Sequence, residues 1–295
     1  MNNLKNLYKE VTNKMLEELA NGVIPWHKPW TDGGNLAVSH VTGNAYSFLN
    51  QMLISGNGGS TGEYLTFRQA LAEGGKVRKG EHGKLIVFFK PQNSTKETEE
   101  NDDTEPAEKK KSIPILKSYF VFEVSQCDGI KRKFDSQGTN PDIVPIERAE
   151  KVATDYLDRE HIDLFKNSTN GAFYLPKSDE VHIPDMNTFS EIEEYYSTLF
   201  HELTHSTGAP HRLSREFGKR FGDQPYSREE LVAEMGAAYL CNACAVSSEK
   251  AFKNSASYIQ GWMDALQHDD HLIIYAASKA QKAADFILGT YTPTI

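Results

Sequence analysis

The segment His201-Glu202-Leu203-Thr204-His205 carries two imidazoles four residues apart, with a carboxylate beside the first. On an α-helix, residues i and i+4 project from one face, so His201 and His205 can share one divalent metal. Glu202 is then placed to act on a water activated at that metal, first as general base and then as proton donor to a leaving amine. A bound divalent ion lowers the pKa of its water to about 7, so the chemistry is available near neutrality. The pattern points to metal-dependent hydrolysis of a peptide bond. Zinc is the expected ion. Manganese is admitted too, because imidazole and carboxylate donors suit either.

Such a site needs a third protein ligand, and three residues compete for the place. Glu230 and Glu234 lie four apart on a following acidic helix and face together. The favoured assignment has Glu230 bind the metal and Glu234 support a histidine; the next has the two exchange roles. His211 is the third, since His205-x-x-Gly208-x-x-His211 also has a metal-ligand spacing, although Pro210 precedes it. Glu229 reads as a solvated residue of an acidic helix start capped by Ser227.

These residues need rigid elements to hold them. Residues 191–206 form an apolar stripe through Ile192, Tyr195, Tyr196, Leu199, Phe200 and Leu203, which predicts a helix that Gly208 stops. Residues 228–246 predict the helix that carries Glu230. Further helices are expected over 4–20, 47–55, 66–73, 146–160, 256–266 and 272–288. The runs 84–90 and 119–124 predict two strands that pair with each other, and 172–175 and 180–183 predict a short hairpin. Between the first pair lies 92–112, nearly devoid of apolar side chains and expected to be a disordered acidic insert. A Gly/Asn/Pro-rich stretch near 138–145 reads as a linker, dividing the chain into 1–138 and 145–295.

Charge follows that division. Residues 1–95 and 112–140 together carry 14 Lys/Arg against 10 Asp/Glu, while 141–295 carry 14 against 24. A surplus of four in the first part permits nucleic-acid binding without establishing it. Three cysteines, an odd and low count, argue against a disulfide framework; Cys241 and Cys244 read as core thiols. With neither a long apolar run nor a secretory leader at the N-terminus, the expectation is a cytoplasmic protein with no membrane partner.

The first part also places aromatics beside cations. Trp26 and Trp30 flank Lys28 in a proline-rich segment expected at the surface, with Tyr46, Arg68, Lys76, Arg78 and Lys79 following. Aromatic platforms beside Lys and Arg suit single-stranded DNA, where bases stack and phosphates meet cations. The strand aromatics Phe88, Phe89, Tyr119, Phe120 and Phe122 add to these platforms, and the alternate residues among them read as core.

Several motifs in order carry a family resemblance. Residues 21–30 (NGVIPWHKPW), 43–50 (GNAYSFLN) and 76–83 (KVRKGEHG) resemble the N-terminal module of ArdC-type antirestriction proteins. Residues 200–208 (FHELTHSTG), 212–215 (RLSR) and 229–234 (EELVAE) resemble their zincin-like C-terminal domain. The resemblance implies an α+β chain: an N-terminal α+β domain that binds single-stranded DNA, then a mainly helical metallopeptidase domain with a small sheet. It further implies a mobile-element protein that protects incoming DNA from host restriction, with a host restriction-system protein as a candidate target. Two other readings remain at this stage. One is a non-catalytic DNA-binding protein with a structural or vestigial metal site. The other is a DNA mimic that uses the acidic C-terminal face.

Overall fold

A computed structural model describes residues 2–27, 36–56, 62–90, 115–134, 144–166, 171–217, 224–247 and 256–292. The insert expected at 92–112 and the linker residues 135–143 lie outside them. The fold is α+β, as expected.

Helix α1 (Asn2–Ala20) turns Leu7, Val11, Met15 and Leu19 inward at helical spacing. It ends at Gly22, whose φ of +77° is a left-handed conformation that suits a residue without Cβ. Strand β1 (Val38–Ser39), helix α2 (Phe48–Gly56), strand β2 (Glu63–Thr66), helix α3 (Phe67–Ala72) and strand β3 (Lys76–Val77) follow. Thr66 caps α3 through a reciprocal pair of bonds with Gln69. Strands β4 (Lys84–Lys90) and β5 (Ile115–Glu123) form the expected antiparallel pair. They complete a sheet of order β1-β2-β5-β4, and β6 (Cys127–Asp128) pairs with β3.

Helix α4 (Pro145–Glu160) precedes a second sheet of β7 (Asp163–Phe165), β8 (Phe173–Leu175) and β9 (Glu180–His182). Its order is β7-β9-β8, parallel then antiparallel. Short strands such as β7 were too brief to leave a periodic signal in the sequence. Helices α5 (Ile192–Ser206), α6 (Gln224–Ala243), α7 (Ala256–His268) and α8 (Leu272–Ile287) close the chain.

Two principal cores result. One joins α1, α2 and the inner face of β4–β5 to Leu231, Val232 and Met235 of α6, Trp262 and Leu266 of α7, and Ile273 and Ile274 of α8. The other joins α4, the second sheet and α5 to Ala237, Leu240 and Cys241 of α6 and Ala284 and Ile287 of α8. Helices α6 and α8 thus face both cores, and Cys241 and Cys244 are buried thiols, as expected.

Trp26 departs from its expected surface role. It is fully buried in the first core, edge-on to Trp262 with ring centroids 6.1 Å apart. The flanking prolines suggested an extended surface segment, but the large indole fills a gap between α1 and α7 that the sequence could not reveal. Trp26→Ala should therefore destabilise the fold by about 3–5 kcal/mol, measured as a fall in the denaturant midpoint with an unchanged slope.

Candidate metal centre

Helix α5 presents His201 and His205 on one face, and α6 crosses it closely. The contact occurs where Gly236 meets Thr204: a Cβ on Gly236 would lie 2.5 Å from Thr204 Cγ2. Glycine permits this approach, which brings Glu230, about two turns earlier on α6, over the histidines. His205 Nε2 lies 3.1 Å from His201 Nε2. Glu230 lies 3.6 Å from His201 Nε2 and 3.5 Å from His205 Nε2.

These separations fit the chemistry of a metal site. Two ligands at roughly 2.0–2.1 Å from a tetrahedral ion stand about 3.3 Å apart, close to the Nε2–Nε2 separation and to the approach of one Glu230 oxygen to each histidine, Oε2 to His201 and Oε1 to His205. Among the described residues, His201, His205 and Glu230 form the group of potential ligands, with donor atoms within 4.8 Å of one another.

The imidazoles are held from behind. His205 Nδ1 lies 3.3 Å from Glu229 Oε1, and His201 Nδ1 lies 3.6 Å from Glu234 Oε1. A carboxylate only accepts, so the contact with Glu229 puts the proton on Nδ1 and leaves the Nε2 lone pair facing the centre. Glu234 stands behind His201, the supporting place that one assignment gave it, and also comes within 3.8 Å of His27 Nε2. His27, next to Trp26, brings the start of the chain to the rear of the site.

Glu229 overturns its reading as a solvated helix-start residue. It is buried, and Arg215 grips both its oxygens: Nε donates at 2.9 Å and Nη2 at 2.7 Å. Arg215 also donates to the Thr204 carbonyl and the Thr207 hydroxyl, both at 2.7 Å, tying the loop after α5 back onto that helix. Burial alone would raise the Glu229 pKa, but the Arg215 and His205 contacts outweigh it and hold the carboxyl below its ordinary value. No local pattern betrayed this role, because Arg215 lies fourteen residues away.

His211 does not join the group. It is largely exposed, 3.5 Å from Asp179 Oδ2. The side chain of its neighbour Arg212 is buried and binds Asp179, Glu160 and the Ser206 carbonyl, anchoring the loop.

Glu202 is buried beside His201 and lines a cleft of about 420 Å³ with His201, His205, Glu229 and Glu230. Ala172, Phe173, Tyr174 and Pro176 form its opposite wall. The cleft is rich in negative charge. Burial would lower the His201 pKa, yet Glu230, Glu202 and Glu234 together push it up to about 9. A site that favours a proton this strongly also favours a cation.

The residues proposed for DNA contact are scattered. Lys28 and Trp30 lie outside the described residues. Tyr46 is half-buried edge-on to Tyr64, and burial pushes its hydroxyl up to about 12. Arg68, Lys76, Arg78 and Lys79 are exposed, with Arg78 Nη2 donating to Glu81 at 2.9 Å. Phe88, Tyr119 and Phe120 are all exposed, although alternation along the strand is expected to bury one of the neighbours Tyr119 and Phe120. Phe88 and Tyr119 meet edge-to-face at 5.9 Å, and exposed Lys117 pairs in register with Phe88. Strand alternation assigns a face but does not say whether another element covers it.

The fold and this centre define a zincin-type metal-binding protein. Residues 151–279 match a family described as zincin-like metallopeptidase, and residues 5–122 match the N-terminal domain of anti-restriction factor ArdC. The Mn(II)-bound crystal structure of the antirestriction protein ArdC from plasmid R388 is similar at 34% identity. The match covers 96% of this chain and 97% of that one, with a TM-score of 0.71. Its metal-free structure matches at 33% identity and a TM-score of 0.70, over 97% and 99% of the two chains. DNA primase TraC of Escherichia coli is 30% identical over 96% of this chain, which spans 27% of TraC's length. The uncharacterized protein y4eC of Sinorhizobium fredii is 31% identical over 96% of this chain and 91% of its own length. This chain belongs to the ArdC antirestriction family. No helix among the described residues is long and apolar enough to cross a membrane.

Glu229→Gln should weaken metal affinity roughly 10–100-fold while keeping the fold, as read by competition with a chelator. Glu229→Ala should in addition cost about 3–5 kcal/mol of stability, because it strands Arg215 in the interior.

Proposed function

We propose that this protein is a metal-dependent peptidase of the antirestriction type that also binds single-stranded DNA, and that it protects incoming DNA by cleaving a host restriction-system protein. The convergence of His201, His205 and Glu230 beside Glu202 in one cleft carries this reading. His201, His205 and Glu230 would hold the ion. Zinc is the first choice, and the Mn(II)-bound R388 relative supports manganese as an alternative. When bound, the ion supplies Lewis-acid activation of water and of the scissile carbonyl.

The chain's own residues do the rest. Glu229 and Glu234 keep the imidazoles oriented. Glu202 takes the proton from the attacking water and returns it to the leaving amine. Strand β8 lies at an edge of its sheet, and its Phe173 and Tyr174 line the cleft. An extended peptide can pair with such an edge and pass the centre, which favours a polypeptide substrate. For DNA, exposed Phe88 and Tyr119 offer stacking faces with Lys117 beside them, and Arg68, Lys76 and Lys79 add cations. The segment with Lys28 and Trp30 belongs to the same proposal. The protein would act in the cytoplasm, where restriction occurs.

Glu202→Ala should retain stoichiometric metal but lose both peptide cleavage and protection of incoming DNA in a transfer assay. Survival of protection would instead favour a DNA-binding protein whose metal site is structural. Phe88→Ala/Tyr119→Ala should weaken single-stranded DNA binding by about 1–3 kcal/mol per stacked base lost, measured by anisotropy at fixed salt. An unchanged affinity would rule out this face.

A further inference from the structure

A second cavity, of about 630 Å³, opens behind the metal centre between the end of α4, the loop 211–215 and the C-terminal part of α8. Arg159, His211, Arg212, Arg215, Lys279 and Lys282 line it, together with Phe286 and Tyr291. This is a concentration of positive charge within a stretch whose own balance is 14 Lys/Arg against 24 Asp/Glu.

Most of the arginine charge is already matched. Arg212 is bound to Asp179 and Glu160, Arg215 to Glu229, and Arg159 Nε donates to Glu160 at 3.1 Å. Three carboxylates therefore face three arginines. Lys279 and Lys282, three apart on α8, form no ion pair among the described residues. Lys279 Nζ lies 5.7 Å from the neutral ring of Tyr275. Burial lowers the Lys279 pKa first, and the positive charges of Lys282 and Arg215 lower it further against a smaller pull from Glu229. The cavity thus has a positive potential and a surplus of two charges.

The walls limit what anion fits. Phe286 and Tyr291 meet edge-to-face at 5.9 Å with their planes 61° apart, an aromatic corner beside the lysines that can take a base against one ring. The volume suits a small organic ligand. A lone carboxylate brings one negative charge and an inorganic ion brings no ring. A phosphate monoester on a nucleoside brings a dianion for the lysines and a base for the aromatic wall.

We propose that this cavity binds the phosphate of a nucleotide, through Lys279 and Lys282, with the base against Phe286 and Tyr291. The nucleotide can be free or can belong to a DNA strand; the shared chemistry is the phosphate. The site is independent of the metal reading, since it needs neither histidine ligand nor Glu202.

Isothermal titration of the full chain, in excess EDTA to silence phosphate binding at a metal, tests this with dTMP, thymidine and inorganic phosphate. The expected result is that dTMP binds more tightly than either other probe. Lys279→Gln and Lys282→Gln should each weaken dTMP by about tenfold, as loss of one charge-assisted bond implies, with unchanged melting temperatures. Competition by a 5′-phosphorylated oligonucleotide but not its 5′-hydroxyl form would support a strand end as the source. Competition by both would support backbone phosphate, and by neither would support the free nucleotide. Equal binding of thymidine and dTMP, or full affinity in both folded variants, would overturn the proposal.

Discussion

Helices α5 and α6 approach closely because Gly236 has no side chain to hold Thr204 away. From that contact follow the positions of His201 and His205 on one helix and of Glu229, Glu230 and Glu234 on the other. Helical geometry sets each group of side chains, but only the crossing brings carboxylates to imidazoles. The Arg215–Glu229 pair then locks the arrangement. It is nearly solvent-free, bidentate, and tied to the Thr204 carbonyl on α5. Buried charges of this kind are costly unless fully satisfied, and here every charged atom has a partner that belongs to the site's own frame.

The same pair separates two opposite electrostatic environments. On one side lies a cleft ringed by carboxylates, which raises the affinity of His201 for a proton. On the other lies a cavity ringed by arginines and lysines. Charge summed along the chain registers only a strongly acidic C-terminal stretch. Tertiary structure sorts the charges by sign, so each cavity has a potential that the regional sum conceals.

The beginning of the chain contributes to this frame as well. Trp26 fills the core against Trp262, and His27 reaches the back of Glu234. The first core includes α1 and β4–β5 together with α6, α7 and α8. Helix α6, which supplies Glu230, is therefore packed from both sides. Its position over the histidines depends on elements nearly the whole chain apart.

Local patterns in the sequence were enough for the helix bearing His201, Glu202 and His205, for the β4–β5 pair and for the buried thiols Cys241 and Cys244. Each is a matter of spacing over a few residues, which the periods of helix and strand translate directly into facing side chains. The i, i+4 spacing on the acidic helix already favoured Glu230 over Glu234 and His211, whereas the burial of Glu229 and Trp26 and the exposure of Phe88, Tyr119 and Phe120 were decided by tertiary structure alone. The reason is common to all of them. A residue's type and neighbours in sequence say which face it occupies, whereas what covers that face comes from segments tens to hundreds of residues away. The helix that opened the case for a metal was thus legible from five residues, and the buried support of Glu229 behind it only from the packing of α6 against α5.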